Sequence, residues 1–159
     1  SGVHSSAVVG PGVRLGRRVV VGPYAVLLGP LFIGDDVWIG PGVHLGGPPE
    51  IATSRHNVPW EGDLDHHEIS VGPRTRIRDG VVVHHGSVRP TVLGADCLVF
   101  NNVYLAHDVQ VADSVTLSAG VTVGGHATIR SGANLGLNVS VHQRRVIGAL
   151  AMVGMGTPV

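Results

Sequence analysis

One aliphatic residue recurs at every sixth position through most of this chain. It stands at Val3, Val9, Leu15, Val21, Leu27, Ile33, Ile39 and Leu45, then at Val71, Ile77 and Val83. It returns at Leu93, Val99, Leu105, Val111, Leu117, Val123, Ile129, Leu135, Val141, Ile147 and Val153. All 22 positions are Val, Leu or Ile, although those three types supply only 49 of 159 residues. The residue that follows is most often Gly, and the fifth is usually small or β-branched, as at Ala7, Val13, Val37, Val103, Val121 and Ala133. A spacing of six walks around a helix of about 3.6 residues per turn and forms no stripe on it. It suits a short strand followed by a tight corner, with the branched residue on the pleated face and Gly relieving crowding at the bend. The period therefore predicts an all-β repeat architecture.

Composition narrows the function classes. Gly (24) and Pro (10) are abundant, yet 43% of the chain is apolar and mean hydropathy is +0.30, which excludes a disordered segment. Eleven basic residues, all Arg, balance eleven acidic ones, so no phosphate-neutralising face for nucleic acid is expected. The single cysteine, Cys97, excludes an internal disulfide framework and fits a reducing, cytoplasmic compartment. It also falls at an inward fifth position, where a core role is expected. The longest uncharged run, residues 19–34, is broken by Gly22-Pro23 and Gly29-Pro30 and is too short to span a membrane. No secretory n-region precedes it. Only six residues are aromatic, an unusual number for a globular core.

On these hexads the chain resembles the hexapeptide-repeat acyltransferases. The resemblance implies a left-handed parallel β-helix with three hexads to a coil, hence about seven coils in a single domain, residues 1–159. Two insertions interrupt the count. Residues 51–70 carry Trp60 and the pair His66 and His67, and residues 89–92 form a shorter one; the off-pattern residues Pro49 and Ser87 precede them. With 18 residues per coil, residues 18 apart stack on neighbouring coils about 4.8 Å apart. The hexads beginning at 105, 123 and 141 then share one face. The hexad at 83 joins them across the four-residue insertion, and that at 45 joins if the longer insertion leaves the same corner. This column reads Val-His-His-Gly at 83–86, Leu-Ala-His-Asp at 105–108, Val-Gly-Gly-His at 123–126 and Val-His-Gln-Arg at 141–144. Several histidines converging on the corner where both insertions open make it the candidate site.

Within that group the chain is most similar to the UDP-N-acetylglucosamine O-acyltransferases of lipid A biosynthesis. The most specific stretches are Ile-Arg-Asp-Gly-Val-Val-Val-His-His-Gly at 77–86, Ala-His-Asp at 106–108, Gly-Gly-His at 124–126 and Val-His-Gln at 141–143. The resemblance implies His107 as general base, supported by the Asp108 carboxylate, and the Gly125 N–H as donor to the developing oxyanion. It implies His84, Tyr104, His126, His142 and Gln143 as acceptor-binding residues, and an acyl groove past Met152 and Met155. It further implies a homotrimer with sites between subunits, an acyl-carrier-protein or acyl-CoA thioester as co-substrate, and neither cofactor nor metal. The chemistry agrees: an imidazole titrates near pH ~6.5, so it accepts a proton at neutral pH. A neighbouring carboxylate stabilises the imidazolium. An oxyanion donor in such a site contributes about 3 kcal/mol. No Ser or Cys falls beside His107, which favours direct transfer over an acyl-enzyme.

Three departures from the family pattern leave the acceptor open. Tyr104 stands where a His is usual, the first insertion lacks the acidic and lysine residues that contact the acceptor, and the C-terminal helical segment is absent from this stretch. The bulk of Met155, where many relatives have Gly, predicts a short acyl chain. Arg145 occupies a nominally inward fifth position. The alternatives are an N-acyltransferase acting on an amino sugar or a secondary metabolite, a zinc carbonic anhydrase-like protein, and a non-catalytic trimeric scaffold. The zinc reading needs a His pair five residues apart, which the sequence lacks.

Overall fold

The computed structural model describes residues 2–56 and 66–159; Trp60 lies outside them. Twenty-two short strands, β1 (Gly2–Val3) to β22 (Met152–Val153) in chain order, form the described chain. They build three parallel sheets of eight, seven and seven strands, each taking every third strand. The result is a β-solenoid of seven full coils with an eighth begun, consistent with the left-handed helix expected. Register follows the 18-residue step, as in Val20↔Trp38 and Leu105↔Val123. No described residue lies in a helix, so no helix is long and apolar enough to cross a membrane.

The repeat explains the packing. From the second coil to the seventh the aliphatic position points inward, and Leu27, Ile39, Leu45, Leu105, Leu117, Val123 and Ile129 are fully buried. Burying one such side chain contributes about 1.5–3 kcal/mol. The fifth residues Val81, Cys97, Val103, Val121 and Ala133 complete the interior, and Cys97 lies in the core as its position predicts. The core cluster holds no aromatic ring, because the narrow prism has no room for one. Arg145 is the exception among the fifth residues discussed above: it is exposed, on the last rung of its sheet.

The Gly after the aliphatic residue serves packing between coils more than backbone conformation. A Cβ on Gly72 would lie 2.5 Å from the backbone N of Ala95 on the next coil. The left-handed backbone instead comes two residues later, at Arg18, Asp36, Asn102, Asp108, His126 and Arg144. At the corner after the third sheet, Arg17–Asp35, Arg18–Asp36 and Arg74–Asp96 pair across coils. Exposed pairs of this kind contribute little individually.

Both insertions leave the same sheet. The long one follows β8 (His44–Gly47) and ends at β9 (Ile69–Val71), while the short one follows β11 (Val82–His84) and ends at β12 (Thr91–Leu93). Ile69 pairs with Leu31 and with Thr91, so residues 69–70 and 91–92 already belong to strands. Hexad counting yields the number of extra residues, but it does not distinguish which of them rejoin the ladder. An antiparallel bridge between His67 and Gly86 ties the two insertions together.

Candidate functional site

The column expected from the spacing exists. Strand β11 pairs with β8 on one side and β14 (Tyr104–Leu105) on the other, followed by β17 (Thr122–Val123) and β20 (Ser140–Val141). Successive corners therefore present His107 and Asp108, then Gly125 and His126, then His142 and Gln143.

His107 and Asp108 form the centre. His107 Nδ1 lies 2.6 Å from Asp108 Oδ2, and the carboxylate is wholly buried. Its environment is supplied by the short insertion. Asp108 Oδ1 accepts the backbone N–H groups of Ser87 (3.0 Å), Val88 (2.9 Å) and Arg89 (2.9 Å). Its Oδ2 accepts the Ser87 hydroxyl at 2.6 Å. The Asp108 N–H donates to the buried Thr91 hydroxyl. Burial alone would raise this carboxyl, but the donors from Ser87, Val88, His107 and Arg89 outweigh it and hold it well below the usual carboxylate range. Asp108 is thus a fixed anion. Because it only accepts, it fixes the proton of neutral His107 on Nδ1 and leaves Nε2 with its lone pair.

Gly125 packs against that exposed edge. A Cβ there would lie 2.6 Å from His107 Cε1 and 2.7 Å from Nε2, so only Gly leaves the imidazole its position. The Gly125 N–H has no hydrogen-bond partner among the described residues. Both residues line an open pocket of about 410 Å³ whose walls include Glu50, Tyr104, Ala106, Thr122, Gly124, His142 and Gln143.

His126 stands edge-on to His107, ring centroids 5.0 Å apart, with Nε2 at 3.8 Å from Asp108 Oδ2. Burial pushes its imidazole below the ordinary value, against the pull of Asp108. Arg89 reaches across this corner, donating to the carbonyls of Asp108 (3.0 Å) and His126 (3.2 Å). His142 and Gln143 are exposed on the next coil.

Among the described residues, one trio has metal-ligand character: His107, Asp108 and His126, with ligand atoms within 4.8 Å of one another. It fits a metal poorly. Ligands around one ion stand roughly 3 Å or more apart, whereas His107 Nδ1 and Asp108 Oδ2 share a proton at 2.6 Å. The remaining carboxylate lone pairs are taken by the insertion. His107 and Asp108 instead form a hydrogen-bonded pair, with His126 beside it.

Tyr104 lines this pocket, whereas His84 packs against Tyr104 and lines a separate opening. His84 is buried, with Nδ1 at 2.9 Å from the Pro48 carbonyl, and its ring lies 5.3 Å from that of Tyr104. The Tyr104 hydroxyl donates to Glu50. Burial first, and the Glu50 carboxylate second, push this phenol above its ordinary value, so it stays a donor. Glu50 went unrecognised in the sequence, as did the Ser87–Arg89 clamp. The one available signal was their place beside insertions.

The neighbouring His85 is buried, accepts no part in the pocket, and lies 3.1 Å through Nδ1 from the His67 carbonyl. Met152 and Met155 are exposed and do not line the His107 pocket within one chain.

No family model matches the chain. It is 30% identical over 130 residues to the acyl-[acyl-carrier-protein]–UDP-N-acetylglucosamine O-acyltransferase of Bartonella bacilliformis, covering 69% of this chain and 44% of that protein. It is 31% identical over 125 residues to the same enzyme of Bartonella quintana, with 69% and 44% covered. The chain thus spans less than half the length of these curated relatives. A solved structure of UDP-N-acetylglucosamine O-acyltransferase from Moraxella catarrhalis superposes with a TM-score of 0.69 at 27% identity, covering 99% of this chain and 62% of that one.

Proposed function

We infer that this chain, a hexapeptide-repeat β-helix related to the UDP-N-acetylglucosamine O-acyltransferases, moves an acyl group from a thioester to a hydroxyl of a nucleotide sugar. The observation that carries the reading is the His107–Asp108 pair at 2.6 Å, with the imidazole's free edge against Gly125 in an open pocket.

The steps follow from the atoms available. The acceptor hydroxyl gives its proton to His107 Nε2 as its oxygen attacks the thioester carbonyl carbon. Asp108 stabilises the imidazolium, and its clamp of donors keeps it from taking the proton itself. The C=O π-bond electrons move to oxygen, where the unpartnered Gly125 N–H is the donor at hand. Collapse breaks the C–S bond, and the departing sulfur takes the proton from Nε2. The products are an ester and a free thiol, and His107 returns to its starting state. His126 borders the base, while His142 and Gln143 offer polar contacts to the acceptor.

The donor is an acyl-carrier-protein or acyl-CoA thioester. The working unit is a homotrimer in the cytoplasm, where Cys97 stays a buried thiol, and the pocket's open side faces a neighbouring subunit. In that assembly Met152 and Met155 border the acyl chain. The test is mass spectrometry of products from a panel of acyl-carrier-protein and acyl-CoA donors with nucleotide-sugar acceptors, UDP-N-acetylglucosamine and UDP-glucosamine among them. An ester product that falls about 10²–10⁴-fold in rate with His107→Ala is expected. Absence of product from every donor, or full activity in the variant, would sink the reading.

A further inference from the structure

Glu50, at the start of the long insertion, touches two residues. One carboxylate oxygen, Oε2, accepts the Tyr104 hydroxyl, and the other, Oε1, lies 3.7 Å from His84 Nε2. The tautomer of His84 decides what the second contact is. Its Nδ1 sits 2.9 Å from the Pro48 carbonyl, which can only accept, so Nδ1 carries the proton. In the neutral ring Nε2 is then a lone pair. Two acceptors face each other at a distance too long for a hydrogen bond, and both lack a shared donor.

Their position is telling. Glu50 lines the His107 pocket, and Glu50 and His84 together line a second opening of about 520 Å³ formed with His44, Pro48 and Ile51. The acceptor pair therefore stands where the two openings meet. Among the described residues neither opening is lined by an arginine, His44 and His56 being the other basic side chains of the second, and the chain contains no lysine. Glu50 is largely solvent-exposed, so a ligand that displaces water from the pair must supply donors in its place.

We propose that Glu50 Oε1 and His84 Nε2 together bind a protonated amine of the acceptor, so that this chain acts on an amino sugar. The inference rests on the acyl-transfer reading and deepens it. The ammonium is recognised at Glu50 while a separate hydroxyl of the same sugar is presented to His107. An ammonium has three donors and no lone pair, so it satisfies both acceptors and offsets the carboxylate charge. A hydroxyl or an N-acetyl N–H has a single donor and leaves one acceptor unsatisfied. Tyr104 is a positioning residue: by holding Oε2 it keeps Oε1 turned toward His84. A tyrosine hydroxyl extends beyond the ring, and this accounts for Tyr104 in place of the histidine the family resemblance implies.

The experiment is isothermal titration of the whole chain at neutral pH with UDP-glucosamine, UDP-N-acetylglucosamine and UDP-glucose, which differ at one substituent. Wild type should bind UDP-glucosamine about tenfold or more tighter than UDP-glucose. Glu50→Gln, at a solvent-exposed side chain that folding does not need, should bring the ratio close to one, and Tyr104→Phe should lower it. Equal affinities in wild type, or a ratio unmoved by Glu50→Gln, would overturn the inference and leave acyl transfer standing. Failure of all three nucleotide sugars to bind would overturn both.

Discussion

Replacing Asp108 by asparagine keeps the shape of the side chain and inverts its hydrogen bonding in a way the structure allows to be worked through. Oδ1 accepts three backbone N–H groups, from Ser87, Val88 and Arg89 at 2.9–3.0 Å. The amide oxygen must take that place, because an NH₂ there would confront three donors. The NH₂ then replaces Oδ2 and faces the Ser87 hydroxyl, His107 Nδ1 and the Ser87 N–H, which is shared with Oδ2 at 3.1 Å and is left to Oδ1 in the variant. Serine rotates its hydroxyl and accepts. His107 has no such freedom: to meet an N–H, its Nδ1 must become the acceptor, which moves the proton to Nε2. The base then presents a proton to the acceptor hydroxyl where a lone pair is required. In serine proteases the corresponding change of tautomer lowers kcat by about 10⁴. A loss of the same order, about 10³–10⁴, is expected here. Charge-assisted bonds become neutral ones, so stability falls by only about 1–2 kcal/mol and the chain stays folded. Initial rates of acyl transfer measure the first effect, and the ¹⁵N spectrum of labelled His107 reads the tautomer directly. A variant within tenfold of wild-type kcat, or one still protonated at Nδ1, would refute the reasoning.

Gly125→Ala should lower kcat about 100-fold with the unfolding midpoint little changed, because the new methyl displaces the His107 ring and not backbone. Activity within threefold of wild type would show that the close approach is unimportant. Burial, with His66 stacked nearby, pulls His85 down to about 4, below its unfolded value near ~6.5. The unfolded chain therefore binds the proton first as pH falls, so this contribution is whole above ~6.5 and lost toward 4, on the order of 3 kcal/mol. The depressed Asp108 carboxyl acts in a lower window, its contribution fading only as pH falls below the ordinary carboxylate range. Urea unfolding from pH 4.5 to 7.5 should show that loss in wild type and a flatter profile in His85→Gln; an equal slope in both would remove His85 as the cause. Met155→Gly should shift donor preference toward longer acyl chains in the same product assay, and an unchanged preference would mean that Met155 does not bound the acyl group.

What the amino-acid sequence determines by itself is everything that repeats. The six-residue period assigns Leu105, Val123 and Val141 to one inward column, and stacking at 18 residues carries His107, Gly125 and Gln143 to one corner. Each coil templates the next through backbone hydrogen bonds, so sequence separation converts directly into spatial neighbourhood. The same arithmetic fails where the template stops. Arg145 has an inward position in the count and is exposed on the last rung of its sheet. Residues 69–70 and 91–92 rejoin their ladders earlier than the count implied. Only the tertiary structure decided the insertions. Ser87, Val88 and Arg89 turn their donors onto Asp108, and Glu50 closes on Tyr104 across 54 residues of sequence. No period relates such residues to the coil, because a loop's course is chosen by the groups it can satisfy, and those groups come together only after the coils have stacked.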